Sequence, residues 1–245
     1  MTETALIFGV GPGLGMAIAR RCARGGMNVA LAARDTNRLE EQLPGLREVG
    51  APEARAYGCD VASEHFVEEA FREVLDELET PRLVVFNAGT FVRKGVVETE
   101  AEEFEHCWRV GCMGGFLVGR AAVRLMQEAG PRADGSLGTL LFTGATASLR
   151  GGAMFHNLAV GKFGLRALAQ SLAREYGPKG VHVAHSIIDG QIHAEYRGGQ
   201  YSESERGEDA LLDPDAIAEA YWHVHCQPRS AWTHEFDLRP WVEKF

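Results

Sequence analysis

The sequence predicts an α/β fold: a three-layer sandwich in which a seven-stranded parallel sheet is doubly wound, with helices on both faces. Three observations predict it. Short apolar runs ending in Gly, Asn or Asp alternate with longer segments of helical period, which is how βαβ units read. The 245 residues are 45% hydrophobic and 24% charged, enough to bury one substantial core. No internal repeat or Pro/Ser-rich linker divides the chain, so residues 1–245 are expected to form a single domain.

The strands are expected at residues 5–8, 28–33, 54–58, 83–87, 138–143, 182–188 and 232–238. Each is long enough to cross a sheet and too short for a core helix. Six helical stretches fall between them. The first begins near Leu14, after a glycine-rich turn. The clearest covers residues 63–79, where Val67, Ala70, Phe71, Val74, Leu75 and Leu78 form an apolar stripe and Glu68, Glu69, Glu73, Asp76 and Glu77 take the other face. Ser63 is placed to cap it. Another covers residues 155–175, with Leu165, Leu168 and Leu172 on one side and a stop at Gly177-Pro178. Residues 198–207 are polar, Gly-rich and without period, and read as a surface loop. Trp222, Trp232 and Trp241 are expected in core or subunit contacts.

Composition narrows the partners. The formal net charge is −9 and no Lys/Arg-rich run supplies the footprint that a phosphate backbone needs, so no nucleic acid is expected. The five cysteines are scattered without a C-x-x-C pair, which fits reduced thiols and a cytoplasmic location. No basic leader precedes the first strand and no apolar stretch approaches a membrane span, so no membrane partner is expected. His223-x-His225-Cys226 and the pair His182 and His185 lack further ligands at suitable spacing, so no metal site is expected.

The first strand feeds Gly9-Val10-Gly11-Pro12-Gly13-Leu14-Gly15. Glycines there let the backbone approach a pyrophosphate, and the helix that follows offers its N–H groups and dipole to the anion. A tight strand-to-helix turn is the plainer reading, but the strand before and the helix after favour a dinucleotide. The next strand ends Ala33-Arg34-Asp35, where such a fold reads the adenosine ribose. An acid accepts from a 2′-hydroxyl, whereas an Arg suits a 2′-phosphate. Asp35 follows Arg34 and is placed to begin a helix, so Arg34 is taken as the reader and NADP(H) is expected ahead of NAD(H). Asp60-Val61 and Asn87-Ala88-Gly89 close two further strands, at the sheet edge where ligands bind.

On these residues the chain resembles the short-chain dehydrogenase/reductase family. Gly9-x-x-x-Gly13-x-Gly15, Asp60, Asn87-Ala88-Gly89, Lys162 and the Ile188-Asp189-Gly190 turn stand in the family's order and approximate spacing, over nearly the whole chain. The resemblance implies a Rossmann-type fold and a nucleotide-binding oxidoreductase. It places Gly9, Gly11, Gly13, Leu14 and Gly15 around the pyrophosphate and Asp60 and Val61 at adenine. Asn87, Ala88 and Gly89 fall beside the adenine-side ribose, and Lys162 on the nicotinamide ribose. It further implies a homodimer or homotetramer.

The catalytic positions depart from the family. A Tyr four residues before the Lys normally donates the proton and a Ser polarises the carbonyl. Here those positions hold Leu158 and Ala145, and the family's Asn maps to Gly111. Asp189 takes the place of a Pro, and Ala194 that of a Thr. Lys162, Thr146 and His156 are the catalytic candidates left, with Ser148 and Asp189 behind them. Two residues on a helix are displaced by about 200°, which turns His156 away from position 158. The expected function is an NADP(H)-dependent oxidoreductase acting on a small carbonyl or alcohol substrate through an atypical active site. The alternative is a non-catalytic NADP(H)-binding sensor or partner protein; a third reading is an enzyme using the cofactor for dehydration, isomerisation or C=C reduction.

Overall fold

Seven β-branched and apolar runs become strands in the computed structural model, which describes residues 2–193 and 207–243. They are β1 (Thr4–Phe8), β2 (Asn28–Ala33), β3 (Ala54–Gly58), β4 (Pro81–Phe86), β5 (Gly138–Thr143), β6 (Val181–Ile188) and β7 (Glu235–Leu238). All pair in parallel, in the order β3-β2-β1-β4-β5-β6-β7. Every residue of β1, β5 and β6 is buried, because a parallel sheet is covered on both faces. The expected loop 198–207 and Ala194 lie outside the described residues, apart from Gly207.

Each of the six connections carries helix. They are α1 (Leu14–Arg24), the short α2 (Asn37–Glu40) and α3 (Leu43–Glu48), α4 (Glu64–Leu78), α5 (Ala101–Trp108), α6 (Gly114–Ala129), α7 (His156–Tyr176) and α8 (Pro214–His225). A π turn over Arg109–Met113 joins α5 to α6. Because side chains alternate along a strand, Leu6 and Phe8 of β1 pack with α4, α6 and α7, while Ala5 and Ile7 pack with α1, α3 and α8. Phe86, Phe142 and Leu165 centre the first layer; Ile18, Leu31 and Tyr221 centre the second.

Three expectations change. Ser63 holds the N-cap position of α4 in extended backbone, but no side-chain bond caps the helix. Leu75 is 41% exposed, since it lies about 100° round the helix from Val74 and off the buried stripe. The last strand starts at Glu235, three residues later than expected. Gln227 closes a loop there: its side chain accepts from Thr233 N at 2.7 Å and donates to Thr233 Oγ1 at 2.8 Å. Trp232 accordingly leaves the sheet and stacks on His182 at 4.7 Å. Trp222 packs under Arg21, whereas Trp241 is 80% exposed.

Candidate functional site

β1 and β4 lie side by side, and the chain leaves them in opposite directions, toward β2 and toward β5. That divergence opens a crevice outside their carboxyl ends. A cleft of about 530 Å³ occupies it.

The glycine turn forms one wall. Gly9 has φ +80°, and a Cβ on it would stand 2.4 Å from Ala88 N, so the position admits glycine alone. A Cβ on Gly15 would reach Val10 Cα at 2.8 Å. Gly11 differs: nothing stands within 4 Å of where its Cβ would be, so its backbone opens on the cleft. Helix α1 begins immediately afterwards with no side-chain cap and no acid in its first turn. Met16 N–H donates to Gly11 O at 3.2 Å, which leaves the N–H groups of Leu14 and Gly15 and the positive end of the dipole to the cleft. Asn87 ties the walls together, donating Nδ2 to Gly9 O at 3.0 Å and its backbone N–H to Phe8 O at 2.9 Å.

Farther along, Asp60 accepts from Ala62 N at 3.0 Å, which fixes the turn after β3 and sets Val61 against Gly114. Arg34 lines the cleft from the end of β2, exposed, with neither acid nor hydrogen-bond partner among the described residues. Asp35 pairs with Arg38 at 3.5 Å and does not line the cleft.

At the other end stands Lys162, 7% exposed on α7. Its Nζ donates to Thr143 O at 2.6 Å, and its other two N–H donors have no protein partner among the described residues. Burial lowers its pKa to about 8. Leu158, one helical turn earlier, and Ala145 line the same end. Gly111 lies in the π turn, where it and Gly161 let α5 and α7 approach closely; a Cβ on Gly111 would stand 3.9 Å from Gly161 Cα.

The cleft thus brings together Gly9, Gly11, Gly13, Leu14, Gly15, Arg34, Asp60, Val61, Asn87, Ala88, Gly89 and Lys162, the residues that the sequence assigned to cofactor binding. It does not bring in Thr146 or His156, and this corrects their placement as catalytic candidates. Thr146 donates Oγ1 to Asp189 Oδ1 at 2.5 Å, and Asp189 Oδ2 faces Arg239 at 3.2 Å. The hydroxyl is thereby spent on a buried ion pair. His156 stacks on Phe104 of α5 at 6.1 Å and 7°, turned from the cleft as its helical displacement from Leu158 requires. Ser148 is also buried away from the cleft. It accepts from Ala145 N at 3.1 Å and meets His185 Nε2 at 3.4 Å. Glu235 stands 3.2 Å from His185 Nδ1 and receives Arg166 in a fork at 2.7 Å. Burial pushes the His185 pKa down to about 4, so the ring is neutral and props the loop beneath Ala145.

Sequence reasoning missed His106, Val110, Thr143, Gln191, Ile192 and His193, which also line the cleft. His106 and Val110 are four apart and so share a helical face, a signal that was available. Thr143 is the last residue of β5, at the ligand-binding edge. Among the described residues no three His, Cys, Asp or Glu side chains gather as a metal site, and no helix is long and apolar enough to cross a membrane. All five cysteines are free.

A model of the short chain dehydrogenase family matches residues 3–201, and the chain belongs to that family of oxidoreductases. Among its relatives is a short-chain dehydrogenase/reductase of Armillaria gallica, 34% identical over 183 residues, covering 74% of this chain and 68% of the relative. Human 3-oxoacyl-[acyl-carrier-protein] reductase is 29% identical over 197 residues, 80% of this chain and 78% of the reductase. Two solved structures share the architecture. A short-chain dehydrogenase from Rhodopseudomonas palustris has a TM-score of 0.82 at 35% identity, covering 98% of this chain and 99% of the other. An alcohol dehydrogenase from Thermococcus sibiricus, complexed with 5-hydroxy-NADP, has a TM-score of 0.86 at 29% identity, covering 100% and 99%.

Proposed function

We propose that this chain is an NADP(H)-dependent oxidoreductase for a small carbonyl or alcohol substrate, in which Leu158 and Ala145 replace the hydroxyl side chains that family members use. The observation that carries this reading is Lys162: a buried ammonium at the cleft, one N–H on Thr143 O and two without a partner among the described residues. A structural lysine would have its donors satisfied inside the fold.

A dinucleotide fits the residues present. The open backbone of Gly11 and the uncapped start of α1 suit a diphosphate. Arg34 suits a 2′-phosphate, because it lines the cleft, whereas Asp35, the group that would prefer a 2′-hydroxyl, does not. The complex of 5-hydroxy-NADP with the Thermococcus sibiricus relative supports the same choice. When bound, the cofactor supplies hydride to a carbonyl carbon or takes it from an alcohol. The chain's own part is to hold ribose hydroxyls on Lys162, to exclude water with Leu158 and Ala145, and to give the developing alkoxide a proton from the Lys162 ammonium. Its lowered pKa makes that ammonium a better acid than an ordinary lysine. Exposed Phe116 on α6 and exposed Val160 and Phe163 on α7 support packing of a homodimer or homotetramer through these helices.

A second reading, a non-catalytic NADP(H)-binding sensor or partner protein, is favoured by the apolar floor at Leu158 and Ala145. Calorimetry with NADPH, NADH, NADP+ and NAD+ tests the cofactor, and NADPH oxidation by carbonyl substrates then separates the two readings. Absence of binding by all four dinucleotides would sink both. Binding without turnover, unchanged after Leu158→Tyr with Ala145→Ser, favours the sensor.

A further inference from the structure

Among the described residues of this acidic chain nearly every arginine ends on a carboxylate or a carbonyl. Among the described residues, three guanidinium groups have neither: Arg34, Arg93 and Arg150. All three stand on segments that leave carboxyl ends of strands, Arg34 after β2, Arg93 between β4 and α5, and Arg150 between β5 and α7. That edge of the sheet is the one on which the cleft opens. Arg34 is accounted for by the cofactor, and the other two are not.

Arg93 is held in a particular way. Its Cζ sits 5.6 Å from the centroid of Phe155, and Phe155 stacks on Phe91 at 5.5 Å and 23°. A guanidinium that touches a ring face keeps in-plane N–H donors free for a planar anion. The neighbouring cation is not free, because Lys94 is paired with Glu103 at 2.5 Å. The two loops are also locked together here: Asn157 donates Nδ2 to Val92 O at 2.7 Å and accepts from Val92 N at 3.4 Å. Phe91 follows Thr90, and Phe155 lies three residues before Leu158; Thr90 and Leu158 both line the cleft. Phe91, Phe155 and Arg93 do not themselves line the cleft, but they stand on the two loops that bring Thr90 and Leu158 to it, with Phe91 42% exposed.

We propose that the substrate is an amphipathic carboxylate, its flat apolar body lying against Phe91 and Phe155 and its carboxylate received by Arg93. Naming this ligand a substrate rests on the oxidoreductase reading; the recognition itself does not. The carboxylate matches the planar fork of the guanidinium, and an aryl or similarly flat body matches the exposed ring.

The test is calorimetry with 4-phenylbutanoate and 4-phenylbutanamide, alike in shape and different in charge, each titrated with and without saturating NADPH. The carboxylate is expected to bind at least about tenfold more tightly than the amide. Arg93→Met and Arg93→Gln, melting as the parent does, should erase the difference, and Arg93→Lys should keep part of it. Equal affinities, no binding of either compound, or a preference that survives Arg93→Met overturns the inference. NADPH binding and NADPH oxidation by 4-oxo-4-phenylbutanoate are read separately; their failure counts against the oxidoreductase reading and leaves the carboxylate preference to stand or fall by itself.

Discussion

The Lys162 ammonium donates to the carbonyl oxygen of Thr143 at 2.6 Å, joining the buried face of α7 to the last residue of β5. This bond holds the cation at the cleft while burial lowers its pKa to about 8. The acid form is present below that value. Carbonyl reduction should therefore stay level below about pH 8 and fall as pH rises through it, with alcohol oxidation changing in the opposite sense. Single-turnover NADPH oxidation across pH checks this. Lys162→Met should abolish the pH step and weaken NADPH binding by about tenfold, the worth of one charge-assisted bond.

Buried bases also set the pH dependence of stability. Lys162 falls from 10.5 to about 8 and His185 from 6.5 to about 4, both mainly through desolvation. In each case the unfolded chain holds more protons across the window, so stability rises with pH through it. Denaturant midpoints should fall as the solution is acidified from pH 6.5 toward 4, and should rise between about pH 8 and 10.5. His185→Gln should flatten the acid limb; an unchanged limb would mean that His185 takes up its proton in the fold as it does in the unfolded chain.

Arg34 should divide the cofactors. Arg34→Ala is expected to weaken NADPH by about thirtyfold and NADH by less than about twofold. Asp35→Ala should matter little to stability, because its pair with Arg38 is exposed and contributes little. Titration of both variants with both cofactors checks this, and equal losses for NADPH and NADH would remove Arg34 as the phosphate reader.

Two glycines should separate fold from ligand. Gly9→Ala places a Cβ 2.4 Å from Ala88 N at φ +80° and should cost roughly 2 to 4 kcal/mol. Gly11→Ala meets nothing within 4 Å, so stability should change by less than about 0.5 kcal/mol. Its dinucleotide affinity should nevertheless drop by at least about tenfold, because the new methyl enters the space that a diphosphate needs. Chemical denaturation and calorimetry on the same preparations distinguish the two effects.

Thr146 should prove structural. Thr146→Val removes its bond to the buried Asp189 carboxylate and should cost about 1.5 to 3 kcal/mol, with turnover of a carbonyl substrate kept within about twofold. A loss of several orders of magnitude in the rate, at unchanged NADPH affinity, would restore Thr146 as a proton donor.

Much of the molecule was legible without coordinates. The strand runs and the helical stripes were readable because burial on both faces of a parallel sheet demands continuous apolar residues, and burial of one helix face demands a period near 3.6. The glycine turn was readable too, since its glycines fall directly between a strand run and the start of a helical stripe. Those patterns are local consequences of which way an element faces.

Pairings between distant segments are not local, and they decided the chemistry of the cleft. Arg34 and Asp35 are adjacent in sequence; the fold of the sheet places Arg34 at the cleft and Asp35 off it. Thr146 is spent on Asp189, 43 residues away, and His156 faces Phe104. The sequence by itself determined the α/β architecture, the order of the strand-end motifs and the identity of Leu158, Ala145 and Lys162. Only the tertiary structure decided which polar groups are satisfied inside the fold and which remain free at the cleft, because a hydrogen bond depends on where two separate elements bring their side chains to within about 3 Å.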